Sequence, residues 1–134
     1  MDIESLRDFC LSLPLVTECF PFDETTLVFK VEGRMFLFTG LEHPELRANV
    51  KCDPDYALEL RDRYAEVEPG FHCNKKYWNT IHITPSLPDD VVRGWVLHSY
   101  TEVVKKFARV HRERIFKLLD EWKSLNGILS SKTL

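Results

Sequence analysis

The groups best suited to chemistry crowd into one short segment. Pro69-Gly70-Phe71-His72-Cys73-Asn74-Lys75-Lys76-Tyr77-Trp78-Asn79 brings together a thiol, an imidazole, side-chain amides, ammonium groups and aromatic rings. Cys73 beside His72 superficially matches a thiol nucleophile with its base. Nucleophilic catalysis needs nucleophile, base and orienting group held together. Adjacent residues rarely point at one another, and no acid or amide partner can be assigned. The segment therefore reads as an ordered loop that fixes Trp78 by hydrogen bonds. No catalytic residue is assigned, and the chain is not expected to be an enzyme.

Metal and cofactor chemistry find no better footing. His43, His72, His82, His98 and His111 are scattered, with no HxxxH or HExxH pair on a helix. Cys10, Cys19, Cys52 and Cys73 form no CxxC pair and match no zinc spacing. Asp2, Glu4 and Asp8 read as a solvated helix face. There is no GxGxxG and no P-loop, so neither a metal nor a cofactor is expected.

The elements that must position these groups follow from periodicity. Asp2 caps a first helix with an apolar stripe at Ile3, Leu6, Phe9, Cys10 and Leu13, and Pro14 stops it. Val16 to Phe20 reads as a short strand. Thr25–Val31 and Arg34–Thr39 read as strands of a hairpin turning at Glu32-Gly33. Leu46–Lys51 alternates strictly, and Asp53-Pro54 then opens a second helix. Pro69-Gly70 breaks the chain before the loop, and Trp78–Thr84 alternates again. A long helix follows Asp89-Asp90, falters near Arg109–Arg112, and ends at Asn126-Gly127.

This order predicts an α+β fold of two layers: a mainly antiparallel sheet with helices on one face and water on the other. Alternation then places Arg47, Asn49, Lys51, Trp78, Thr80 and His82 outward, with Lys30 beside them. Lys75 and Lys76 lie in the loop leading into Trp78. Cations attract phosphates, and an exposed aromatic can stack a base. The plainer alternative is a solvated sheet face on which Trp78 covers a core edge.

Charge narrows the partners. The chain has 134 residues, 44% hydrophobic and 29% charged, with a formal charge of −3. That fits one domain, with an appended helix, and excludes a coat-like basic protein. Residues 1–45 carry net −6, residues 46–84 net 0 and residues 85–134 net +3. The positive excess gathers at Lys105, Lys106, Arg109, Arg112, Arg114 and Lys117. No leader and no apolar run long enough to span a bilayer is visible, so reduced thiols and a cytoplasmic location are expected.

Four stretches carry a resemblance to the MmcQ/YjbR family of small bacterial proteins. They are Phe29-Lys30-Val31-Glu32-Gly33-Arg34-Met35-Phe36, Asn49-Val50-Lys51-Cys52-Asp53-Pro54, Pro69 through Thr80, and His98-Ser99-Tyr100 with Val103-Val104. The first helix, ending at Leu13-Pro14, also fits. The resemblance implies a CyaY-like or secretion-chaperone-like fold, no agreed enzymatic activity, and a proposed DNA-binding role with a double-wing arrangement. Carried onto this chain, it points to Lys51, Asn74, Lys75, Lys76, Trp78 and Asn79 as nucleic-acid contacts. Cys73 departs from the family, which is expected to carry Met there. The likeness spans residues 1–107, leaving 108–134 as a C-terminal helical extension with a frayed tail. An alternative is a protein-interaction module, or a homodimer formed through that helix and Trp122.

Overall fold

The computed structural model describes residues 1–71 and 73–128. In chain order the elements are α1 (Ile3–Ser12), β1 (Val16–Cys19), β2 (Thr26–Val31), β3 (Arg34–Gly40) and β4 (Arg47–Lys51), then α2 (Pro54–Arg63), β5 (Val67–Pro69), β6 (Trp78–His82), α3 (Asp89–Val104) and α4 (Arg109–Leu125). The strands form one sheet in the order β1-β2-β3-β4-β6-β5, with every pair antiparallel. The expected two-layer α+β architecture is the observed one.

Local signals account for the element ends. The Asp2 carboxylate accepts the Ser5 N–H at 2.8 Å and caps α1. Asp53 does the same for α2 through the Tyr56 N–H at 3.1 Å, with Pro54 just inside the helix. Glu32 and Gly33 both take positive φ, 45° and 83°, which a two-residue turn matched to strand twist requires.

One face of the sheet builds the core. Leu27, Phe29, Leu37, Ala48, Val50, Ile81 and Val67 are buried there against Leu6, Cys10, Ala57, Leu60, Val92, Val96 and Tyr100 from the helices. α3 lies across β2, β3 and β4, with α1 against β1 and α2 against β5. A bulge interrupts the β2–β3 register: Phe29 faces Leu37 but Lys30 faces Met35, so Phe36 is the extra residue. It allows Phe36 and Leu37 both to be fully buried, with Phe36 edge-on to Tyr100 at 5.6 Å. Ser99, fully buried on α3, ties this irregular place down. Its hydroxyl accepts the Lys51 N–H at 2.8 Å and donates to the Phe36 carbonyl.

Three observations differ from the sequence expectation. A three-residue strand, β5, forms at the sheet edge. Its shortness hides it from periodicity, and Pro69 is tolerated because β5 is the edge strand among the described residues. The long C-terminal helix is two helices, broken at Lys105–Ala108, where Phe107 turns inward and is buried. And the apolar stripe of α4 is not left without a partner. Ile115, Leu119 and Trp122 join the same core, Trp122 edge-on to Phe9 at 5.8 Å. His111 and Arg114 reach Glu32 in the hairpin turn, each at 3.5 Å. α4 thus packs on the helical layer, and the outer sheet face stays clear of it. The expected fraying of residues 130–134 lies outside the described residues.

Candidate functional site on the outer sheet face

β4 and β6 run side by side with Arg47 opposite His82, Asn49 opposite Thr80 and Lys51 opposite Trp78. These six side chains share the face turned from the helices, while Ala48, Val50, Asn79 and Ile81 turn inward. Phe38, opposite Asn49 on β3, adds a ring that packs on Trp78 at 5.7 Å. Its outward direction depends on the bulge, which lets Phe36 and Phe38 face opposite sides.

The face is not uniformly wet, contrary to simple alternation. Asn49 is only 9% exposed and Thr80 only 1%. The cause is the segment after β5, which folds back over them. The Phe71 N–H donates to the Thr80 hydroxyl at 3.1 Å, that hydroxyl donates to Asn49 Oδ1 at 2.6 Å, and the Asn49 amide donates to the Phe38 carbonyl at 3.3 Å. Each buried polar group has its partner, so the relay holds the loop to the sheet. The Phe71 ring stays half-open under the Arg47 guanidinium, 5.8 Å from it. A shallow hollow of about 280 Å³ lies between Phe38, His43, Arg47, Asn49, Phe71 and Thr80.

The rest of the loop is held from below. Arg61 on α2 donates to Asn79 Oδ1 at 2.7 Å, to the Trp78 carbonyl at 3.2 Å and to the Lys75 carbonyl. The Asn74 side chain accepts the Lys76 N–H at 2.9 Å, the turn geometry Asn favours. Gly70 cannot be replaced cheaply, since a Cβ there would lie 2.5 Å from Cys73 Sγ and 2.9 Å from Trp78 Cβ.

The residues singled out from sequence fall into three groups. Lys51 and Trp78 are neighbours on the outer face. Asn74, Lys75 and Lys76 are exposed on the loop beside them, although Lys75 Nζ donates to the Gly70 carbonyl at 2.9 Å. Asn79 does not belong with them. It faces the helices, is 1% exposed, accepts from Arg61 through Oδ1 and donates its amide N–H to the Ala57 carbonyl. Its task is to position the loop, not to touch a ligand. Phe38, Arg47 and Phe71 belong with the site but were not among those residues; Arg47 already stood in the outward row, whereas the rings of Phe38 and Phe71 carry no signal of direction in the sequence.

His72 lies outside the described residues. Cys73 is half-buried, and burial pushes its thiol up, opposed by the Lys75 ammonium. Cys10 and Cys52 are core residues, the latter pushed up to about 12 by burial and the nearby carboxylates. Among the described residues, no group of three or more His, Cys, Asp or Glu side chains is placed to hold a metal.

His82 closes one end of the face. Nδ1 lies 2.8 Å from Glu45 and Nε2 2.5 Å from Glu68, so the imidazolium joins β6 to the edge strand and to the β3–β4 loop. Partial burial disfavours its charge, but the two carboxylates outweigh that and raise its pKa above the ordinary histidine value. A raised folded-state pKa means this clamp stabilises fully below the unfolded value of about 6.5 and is lost as pH rises through the folded value. Unfolding free energies of the wild type and His82→Gln, measured from about pH 6 to about pH 9, should therefore converge as pH rises. A gap that stays constant would contradict the clamp.

A small α+β domain with a six-stranded antiparallel sheet, one face helical and the other bearing a basic-aromatic row, is the class these features define. The family model YjbR matches residues 11–102, and the chain belongs to the YjbR family. The uncharacterized protein YbdF of Escherichia coli O157:H7 is 31% identical over 123 residues, covering 86% of this chain and 98% of that one. YjbR of Escherichia coli K12 is 27% identical over 118 residues, covering 88% and 100%. Among solved structures, Deinococcus radiodurans DR2400, with domain DUF419, matches with a TM-score of 0.79 and 36% identity over 84% of this chain and 86% of that one. A Pseudomonas syringae protein shares the fold, with a TM-score of 0.63 at 16% identity over 74% of this chain and 96% of that one. The family match ends within α3, so α4 lies beyond it. No helix among the described residues is long and apolar enough to cross a membrane.

Proposed function

We propose that the outer sheet face binds DNA, with single strands preferred. The observation that carries this reading is the pairing of Lys51 with Trp78 on the face the helices leave open. Lys75 and Lys76 beside that pair, and Arg47 at the far end of the row over Phe71, supply phosphate contacts. Trp78, Phe38 and Phe71 offer rings on which unstacked bases can lie, which a closed duplex does not present. The formal charge of −3 argues against binding spread over the whole surface.

Labelled single-stranded and duplex oligonucleotides, titrated at about 50 mM and 200 mM salt, test it. With roughly three phosphates engaged, affinity should fall about 20-fold or more between those conditions. Lys75→Ala with Lys76→Ala should flatten the salt slope by about 1.5. Trp78→Leu should cost the single strand more than the duplex, by about 1–2 kcal/mol. No binding at the lower salt, or binding indifferent to the double variant, sinks the proposal. The partner-protein alternative has less to work with on α4, where Ile115, Leu119 and Trp122 are already buried within the chain.

A further inference from the structure

One hollow of the helical layer has no part in the DNA reading. Between α2 and α3 lies a cleft of about 500 Å³, lined chiefly by Tyr56, Tyr64, Trp95, His98, Glu102 and Lys105. That volume suits a small molecule, for which sites of about 300–1,000 Å³ are usual.

Its walls are aromatic. Tyr64 meets Trp95 edge-on at 4.9 Å, and Tyr56 meets His98 edge-on at 4.8 Å. Ring faces attract cations, and Tyr64 already holds the Arg63 guanidinium 5.7 Å from its centre. The polar groups favour the same sign. The Glu102 side chain is only 15% exposed, and its one donor among the described residues is Lys105 Nζ at 2.7 Å. A carboxylate offers about four acceptor positions, so Glu102 has capacity to spare. The Lys105 side chain is 57% exposed and free to swing away. His98 adds no opposing charge: its Nε2 accepts the Asp53 N–H at 3.2 Å, and burial keeps the ring neutral.

Gly94 supplies an independent sign. It sits inside α3 and lines the cleft. Glycine is unfavourable in a helix interior. A Cβ there would meet nothing within 4 Å, so the packing of the chain does not demand its absence. Its absence leaves that stretch of the cleft wall without a side chain.

We propose that this cleft binds a small organic cation of the alkylammonium or methylated-ammonium class. Tyr56, Tyr64 and Trp95 wall the charge, and Glu102 is its counter-ion. The Lys105 ammonium is the resident occupant that the ligand displaces.

The indole N–H resonance of Trp95, assigned with Trp95→Phe, reads the site in the full chain. Choline and its uncharged isostere 3,3-dimethylbutan-1-ol are the probes. Choline should produce a saturable shift at millimolar concentrations, at least about tenfold tighter than the isostere. Glu102→Gln should weaken choline at least about tenfold, while Lys105→Met should tighten it. Gly94→Ala, whose helix should be no less stable by thermal melting, should weaken it. No saturable shift by about 100 mM, a hundredfold weaker than millimolar, overturns the proposal. So does an equal response to the isostere, or a Glu102→Gln chain that melts normally and binds choline unchanged.

Discussion

Ser99→Ala should lower the unfolding free energy by about 2–4 kcal/mol and the melting midpoint by roughly 10 °C. The hydroxyl is fully buried and serves two backbone groups, the Lys51 N–H and the Phe36 carbonyl. Both lie where the regular ladder gives out: Phe36 is the bulge residue, and Lys51 is the last residue of β4. Removing the hydroxyl leaves a donor and an acceptor in the core without partners, each costing about 1–3 kcal/mol. The volume change is too small to matter beside that. Ser99→Gly should be worse still, through the added helix penalty of about 1 kcal/mol. Chemical denaturation with an unchanged slope is the measurement. A loss under about 0.5 kcal/mol would show that the bridge is dispensable.

Arg61→Met should act on the site more than on the fold. The guanidinium holds three acceptors at once: Asn79 Oδ1, the Trp78 carbonyl and the Lys75 carbonyl. Methionine keeps the length of the stem and removes every donor. Asn79 is buried and suffers fully, whereas the loop carbonyls can turn to water, so the global cost should be about 2 kcal/mol. The local cost is larger in its effect. Amide exchange at Gly70 and Tyr77, both bonded within the loop, should quicken by well over tenfold relative to the Val50 amide. The DNA affinity proposed for this face should fall alongside, because Lys75 and Lys76 lose their fixed places. Arg61→Lys should not restore either property, since one ammonium cannot span three acceptors as a planar fork does. Exchange rates that leave the loop amides unchanged would contradict this role.

The residues differ in how plainly the sequence announces their work. Asp2, Asp53-Pro54 and Glu32-Gly33 are short-range signals, each acting on backbone within a turn, and the structure places them as read. The inward Ala48 and Val50 and the outward Lys51 follow from alternation alone. Phe36 and Phe38 do not, because a bulge changes the phase of a strand without altering its composition. Asn49 and Thr80 lie on the face that alternation predicts but in a buried environment that it does not, since the covering loop is brought back by hydrogen bonds between distant residues. Asn79 carries the sharpest lesson. It stands in a recognisable motif for the sake of Arg61, a residue eighteen positions earlier that no local pattern links to it. The cleft at Trp95 and Glu102 was likewise invisible, because it belongs to two helices whose separation only the tertiary fold sets.

Among the described residues the strand order contains a single sequence-remote pairing, β4 with β6; every other neighbour in the sheet follows directly along the chain. β1 to β4 can zip as successive hairpins, each closing a short loop at small entropic cost. The β4–β6 seam must instead bring together ends separated by α2, β5 and the whole loop, the longest closure within the sheet. Lys51 and Trp78 face each other across that seam. The basic-aromatic row therefore exists only once that seam has closed, and neither strand carries it alone.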